Sequence, residues 1–402
     1  MSSLGVYISV PFCKAKCTFC NFASDAFGSG RMQSYTDRLC QEIAAARERA
    51  GRLGAALPDS VDSIYFGGGT PSLLDAEHMQ AIFERLRDEF RVAEEAEITL
   101  ECAPGQLSDG TLEELLRQGM NRISFGVQSF VDAEAAAVGR LHTRTMCLAE
   151  VKRVRASGVT DINLDLIAGL PLQTEASWQY SIAEAIAAES AHVSVYMLEV
   201  DEESRLGREA LAQGGRYHAG ELPSEDETAE WYQIACDLLG AAGVNQYEIS
   251  NFARADHKSR HNLKYWRRQP YIGFGLDAHS MLLTETGAVR LANTDDLDAY
   301  LVPPSISGPF AIRSSQPEPD VIEREAAFEE ALFLGLRLNE GVLFSELQQK
   351  HGEVLISNTM PALKELQQAG LLDFDDVRVT LTGRGRLLSN EVFSRLLLPT
   401  LA

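Results

Sequence analysis

Short apolar runs alternate with longer helix-favouring segments from residue 5 to about residue 200, and this rhythm constrains the fold more than any single motif. The strand-like runs are residues 5–10, 63–66, 98–102, 122–127, 162–167 and 192–198. Between them lie residues 35–50, 76–90, 112–118, 146–156 and 177–187, rich in the Ala, Leu, Glu, Arg and Gln that favour helix. Strand and helix in strict alternation predict parallel β/α units, here an α/β chain forming a partial (β/α)6 barrel. In such barrels the loops at the carboxyl ends of the strands build the active site. Nearly every unusual motif of this chain follows a strand, so one cleft is expected.

The first of these loops carries Cys13, Cys17 and Cys20 in C-x3-C-x2-C spacing. Seven cysteines, an odd number with three of them inside eight residues, do not form a secreted disulfide framework. Three thiolates on one loop can wrap a face of an iron-sulfur cubane and leave its fourth iron without a protein ligand. The alternatives are a zinc site completed by a distant Cys or His, although structural zinc usually shows paired ligand doublets, or three ordinary loop cysteines. The remaining cysteines, Cys40, Cys102, Cys147 and Cys236, stand singly in helix-like or strand-like runs and read as small buried hydrophobes.

After the second strand comes Gly67-Gly68-Gly69-Thr70-Pro71, a tight turn or a backbone grip on a ligand where a Cβ would collide. Glu101 ends the third strand, Gln128 follows the fourth and Asp165 lies in the fifth. A carboxylate within an apolar strand is costly unless it is paired or ligand-bound. Each alone fits a structural salt bridge, but three polar groups at successive strand ends also fit recognition of a polar cofactor. Arg140 supplies a fixed cation suited to a carboxylate.

The cysteine triplet after the first strand resembles the signature of the radical S-adenosylmethionine (SAM) superfamily. That resemblance implies a [4Fe-4S] cluster on Cys13, Cys17 and Cys20, with SAM on the open iron and electron transfer into its sulfonium giving a 5'-deoxyadenosyl radical. Over residues 4–300 the motifs resemble the coproporphyrinogen dehydrogenase-like branch, which implies SAM contacts from Tyr7, Phe19, Gly68, Gly69, Thr70, Glu101, Gln128, Arg140 and Asp165. No catalytic residue is assigned. Within the branch, the oxygen-independent coproporphyrinogen III oxidases look like C-x3-C-x2-C-x-C with a long arm before the cluster. This chain has Phe22 at the fourth cysteine position and twelve residues before Cys13, which argues against oxidase activity. The run His261-Asn262-Leu263-Lys264-Tyr265-Trp266 instead resembles the H-N-x-x-Y-W signature of the HemW haem chaperones. Membership there implies haem as a third cofactor, held by His261, Tyr265 and Trp266, and haem-accepting proteins as partners, membrane-bound respiratory proteins among them. The alternative is a coproporphyrinogen III dehydrogenase or another SAM-cleaving radical enzyme. Two local departures stand out. The pattern E-x-N-P is here Glu101-Cys102-Ala103-Pro104, and G-P-G-A-H-S is here Gly275-Leu276-Asp277-Ala278-His279-Ser280.

Charge bears on the haem reading. Residues 254–268 hold six cations, Arg254, Lys258, Arg260, Lys264, Arg267 and Arg268, against the single acid Asp256, in a chain of formal charge -22. Such an island suits haem propionates, or else is a solvated basic loop with Tyr265 and Trp266 packed on the barrel. The acidic balance elsewhere argues against nucleic acid as a partner. No basic leader or membrane-spanning apolar run is present, so a cytoplasmic protein is expected, peripheral to a membrane at most. Three regions are expected: residues 1–301, a radical SAM core with the haem-motif extension; 302–319, a linker containing Pro and Ser; and 320–402, a small winged-helix-like α+β domain. With six basic and eight acidic residues over 340–402, that domain lacks a DNA-binding footprint and fits a structural or docking role.

Overall fold

The structure is a computed structural model and describes residues 3–285, 287–302 and 319–397. The six expected strands form, as β1 (Leu4–Val10), β2 (Ser60–Gly68), β3 (Arg91–Cys102), β4 (Arg122–Gln128), β5 (Asp161–Ala168) and β6 (His192–Met197). They pair parallel in sequence order. The intervening helices also fall where the composition puts them, except that the first breaks at Ala45 into Met32–Ala44 and Ala46–Arg52.

Both flanks of this parallel sheet are longer than six strands. Beyond β6 lie β7 (Asn245–Gln246) and β8 (Asn251–Ala253). Beyond β1 lie β9 (Tyr271–Phe274), β10 (His279–Leu283), β11 (Ala288–Ala292) and β12 (Asp320–Ile322). β9 runs parallel to β1, whereas β10 to β12 continue antiparallel. These short strands follow Gly- and Pro-punctuated stretches that carry too few residues for a clear period-two signal.

The two faces of the parallel strands differ. Val6, Ile8, Ile64, Phe66, Leu100, Phe125, Leu164 and Val195 are all buried in the main core beneath the helices. The alternate positions carry polar and aromatic groups in matching register. Gly5, Ser63 and Glu97 lie side by side, as do Tyr7, Tyr65 and Thr99. Ser124, Asn163 and His192 align across β4 to β6, and Gly126, Asp165 and Ser194 do so one step later. Barrel interiors are usually filled with branched apolar side chains. Here the inner face, lining the lumen, is polar instead, and its side chains hydrogen-bond to one another across the strands.

The helix Arg260–Trp266 closes one end of that lumen. Glu97, itself buried, accepts the backbone N–H groups of Arg260 at 2.8 Å and His261 at 2.9 Å, so its carboxylate neutralises the positive end of the helix. Gly5 is glycine because a Cβ there would come within 2.7 Å of Lys264 Cδ. Lys264 is buried and reaches Asp62 at 2.7 Å.

Residues 303–318, most of the expected linker, lie outside the described residues. After them a second hydrophobic core forms around Phe328, Leu332, Leu336, Leu366 and Val392. It contains β13 (Val342–Leu343), β14 (Leu372–Phe374) and β15 (Arg378–Leu381) in a small antiparallel sheet. Two short helices, Gly383–Leu387 and Ser389–Arg395, follow the sheet. The carboxylate of Glu330 joins this region to the barrel, accepting from Arg268 at 2.7 Å and Arg290 at 3.0 Å. No described helix is long and apolar enough to cross a membrane.

Candidate functional site

The loop after β1 is pinned by its neighbours. Gly69 N–H donates to Val10 O and Thr70 N–H to Phe12 O, both at 2.8 Å, which stitches the glycine turn after β2 to the cysteine loop. A Cβ on Gly69 would lie 2.8 Å from Phe12 O and 3.0 Å from Cys13 Sγ, so the close approach requires glycine. Thr18 N–H donates to Val138 O at 3.1 Å and Leu206 N–H to Thr18 O at 2.8 Å, holding the far side of the loop. The sequence left Gly67–Pro71 open between a turn and a ligand cradle, and the structure shows a glycine turn packed against the cysteine loop.

All seven cysteines are free thiols. Burial pushes the Cys13 and Cys20 thiols up from their usual range, so metal binding there would expel protons. Among the described residues no three His, Cys, Asp or Glu side chains are gathered into a metal cage, so the triplet is a donor set carried on one loop. Arg140 Nη1 lies 3.4 Å from Cys17 Sγ, and Thr70 Oγ1 lies 3.7 Å from Cys13 Sγ. Cys102 and Cys147 are buried hydrophobes as expected, while Cys40 and Cys236 are half-buried.

The strand ends bring the predicted polar residues to one place. Glu101 accepts a hydrogen bond from Tyr65 at 2.8 Å, and its pKa is raised to about 8 by burial, with Asp165 adding to the shift. Asp165 accepts from Ser124 at 3.0 Å and Asn163 at 2.7 Å, and burial raises its pKa as well. Among the described residues neither carboxylate has an ion-pair partner within 4.0 Å, so the structural salt-bridge reading has no support. Two carboxyls held by neutral donors, with Arg140 acting on Asp165 only from beyond ion-pair distance, suit a cationic ligand.

Gln128 adds strain to the same wall. Its φ is +67°, where β4 slips register between Gly126 and Gln128, and its buried Oε1 has no hydrogen-bond partner. Arg140 follows Gly139, whose φ of +83° ends a short helix, and donates from Nη2 to Gly126 O, while its buried Nε lacks a partner. Phe19 packs against Val138, Ile167 and Leu170 beside the loop. The donor set of three thiols, a turn that excludes a Cβ and two buried unpartnered polar atoms fit a [4Fe-4S] cluster with SAM.

Of the haem-motif residues, His261 and Tyr265 stay in contact while Trp266 turns away. His261 is 1% exposed, with Nδ1 3.0 Å from Ser63 Oγ and Nε2 2.8 Å from Tyr265 Oη, and burial lowers its pKa to about 3. Both ring nitrogens are thus engaged, one by β2 and one within the helix that closes the lumen. The Trp266 indole lies under the Arg337 guanidinium at 4.3 Å and faces the C-terminal region. The basic island is dispersed: Lys264 goes to Asp62, Arg267 to Glu340 and Arg268 to Glu330. Arg254, Lys258 and Arg267 line a cavity of about 230 Å³ on the Tyr247 side of the helix.

Tyr265 turns the other way. It joins Tyr7, Ser9, Phe22, Gly68 and Tyr271 around a cavity of about 320 Å³ that also includes Asp277 and His279. Tyr7, Tyr65 and His261 stack at centroid separations of 5.3 to 6.4 Å, so the lumen-closing helix contacts the Glu101 partner directly. Sequence reading missed Tyr65, the Asn163 network behind Asp165, and Tyr271. The polar alternation within β2, β5 and β6 was the signal that could have found the first two.

Known proteins resemble both parts of the chain. The pattern of the radical SAM superfamily matches residues 7–185, and that of the HemN C-terminal domain matches residues 322–388. A heme chaperone HemW of Bacillus subtilis is 34% identical over 392 residues, covering 97% of this chain and 98% of its own. Its counterpart from Lactococcus lactis is 30% identical, covering 98% and 97%. The solved structure of coproporphyrinogen III oxidase (HemN) from Escherichia coli superposes with a TM-score of 0.82 at 24% identity, over 98% of this chain and 90% of its own, a likeness of fold.

Proposed function

The chain belongs to the HemW family of the radical SAM superfamily, and from that premise we propose that it is a haem chaperone that binds a [4Fe-4S] cluster, SAM and haem and passes haem to acceptor proteins. Cys13, Cys17 and Cys20 would hold the cluster. When bound and reduced, the cluster supplies an electron to the SAM sulfonium. The protein's own part is positioning. Gly68, Gly69 and Thr70 line the methionine end, Glu101 and Asp165 attract the positive ammonium and sulfonium or bind ribose hydroxyls, and Gln128 and Arg140 offer their unpartnered atoms to the remaining polar groups.

What carries the haem part of the reading is the cavity of about 320 Å³ beside the cluster loop, where Tyr7 and Gly68 from the SAM side meet Tyr265 and Tyr271. Tyr7, Phe22, Tyr265 and Tyr271 among its lining residues offer aromatic rings on which a macrocycle can stack. Haem acceptors are the expected partners, and membrane-bound haem proteins fit a chaperone that is itself peripheral. Phe22 in place of a fourth loop cysteine supports a chaperone over a coproporphyrinogen oxidase. Anaerobic haem titration tests the reading: a saturable Soret band with the cluster intact is expected. A protein that cleaves SAM and oxidises coproporphyrinogen III but binds no haem would overturn it in favour of the oxidase.

A further inference from the structure

We infer that His279, not His261, is the imidazole that ligates haem iron, in the cavity between the cluster loop and the strands β9 and β10. The inference rests on the haem-binding reading and names the ligand within it. An axial histidine needs a ring nitrogen with a free lone pair facing a space that admits a macrocycle. His261 offers neither, since both nitrogens are hydrogen-bonded and the ring is buried. Five of the other histidines are engaged by protein groups: His78 and His257 by aspartates, His218 by Glu221, His142 by a backbone carbonyl, and His192 by Asn163 and Tyr247. His351 is buried in the C-terminal region.

His279 differs on each count. Its side chain is 66% exposed, it lines the 320 Å³ cavity, and its recorded contact is Asp277 Oδ1 at 3.8 Å, too long for a hydrogen bond. Rotation of the ring away from Asp277 would present Nε2, the nitrogen that reaches haem iron without a clash at Cβ, and leave Nδ1–H for a supporting acceptor, the usual relation for a ligating histidine.

The mount is rigid. A Cβ on Gly275 would lie 2.4 Å from both Ser9 O and Tyr35 Oη, Leu276 N–H donates to Tyr35 Oη at 2.9 Å, and Asp277 N–H donates to Thr294 O at 2.9 Å. Asp277 is held at φ +54°, a conformation costly for a non-glycine residue, just before the ligand position. Tyr265 and Tyr271, edge to face at 4.6 Å, form one wall, and Phe22, 60% exposed, forms an apolar rim. Tyr265 of the H-N-x-x-Y-W run thereby serves the cavity while its histidine serves the helix.

The test is a hemin titration of anaerobically reconstituted full-length protein, comparing wild type, His279→Ala and His261→Ala, with iron and sulfide content measured in each. His279→Ala should shift the Soret band or weaken affinity on the order of tenfold or more, with the cluster retained, and added imidazole should restore the wild-type spectrum. His261→Ala should keep the wild-type Soret position while lowering the melting temperature. An unchanged spectrum and affinity in His279→Ala would overturn the inference, as would loss of the Soret band in His261→Ala at an unchanged melting temperature. Failure of wild type itself to bind hemin would instead overturn the haem reading beneath it.

Discussion

At the scale of single residues, the decisive pair is Glu101 and Asp165. Each occupies the polar face of a parallel strand, and each is held by neutral donors in place of a salt bridge. Because the Glu101 pKa is raised to about 8, the SAM-free folded protein keeps a proton that the unfolded chain loses near 4.5. Stability from this group therefore falls as pH rises from about 4.5 to about 8. A cationic ligand favours the ionised form, so SAM affinity should climb with pH through the same window. Glu101→Gln should flatten that climb and weaken SAM binding, and Asp165→Asn should also weaken it, both with unchanged iron content and a melting temperature at pH 8 equal to or above wild type. Equilibrium binding by calorimetry across pH 6 to about 9 checks this, and loss of fold with intact SAM affinity would return both residues to a structural role. The sequence made these two legible because a carboxylate in an apolar strand is conspicuous. Tyr65 and Asn163, whose positions look ordinary for a strand, were not, although they set the geometry of both.

At the scale of elements, the helix Arg260–Trp266 is the part whose meaning changed most. As sequence it reads as a basic, aromatic segment suited to haem propionates. In the fold its cations find acids on β2 and in the C-terminal region, and Glu97 of β3 takes its N-terminal amides. Those partners lie 62 to 202 residues away in sequence, so charge counting within a window could not reveal them. His261, with a pKa near 3 in the folded state and about 6.5 unfolded, stays neutral in the folded protein. The unfolded chain binds the extra proton between those values, so this group's stability is present above about pH 6.5 and is lost as pH falls. His261→Ala removes two buried hydrogen bonds and leaves a cavity, at a cost of about 2–4 kcal/mol. Thermal melts should show a lower midpoint for the variant at pH 7.5, with the difference shrinking toward pH 5. A variant as stable as wild type at pH 7.5 would contradict the lumen-closing role.

At the scale of the whole molecule, the six parallel strands were readable because β/α alternation needs only local composition. The antiparallel extensions β10 to β12, and the parallel placement of β9 beside β1, were not readable, because their pairing is set by contacts across the sheet. Those extensions supply Tyr271, Asp277 and His279 to the cavity, so the part of the site beyond the six strands was hidden for the same reason. The spacing of the cysteine triplet left a cluster, zinc and ordinary loop thiols open, and the resemblance to the radical SAM superfamily supplied the cluster reading. Every further step, from SAM to haem, depends on a cluster at that loop. The most direct measurement is EPR of the reduced, anaerobically isolated protein with and without SAM, alongside metal and sulfide analysis. About four irons and four sulfides per chain are expected, with a spectrum that SAM perturbs, both lost in Cys13→Ala, Cys17→Ala or Cys20→Ala and both kept in Cys236→Ala. Stoichiometric zinc without iron, or a cluster spectrum indifferent to SAM, would contradict the account.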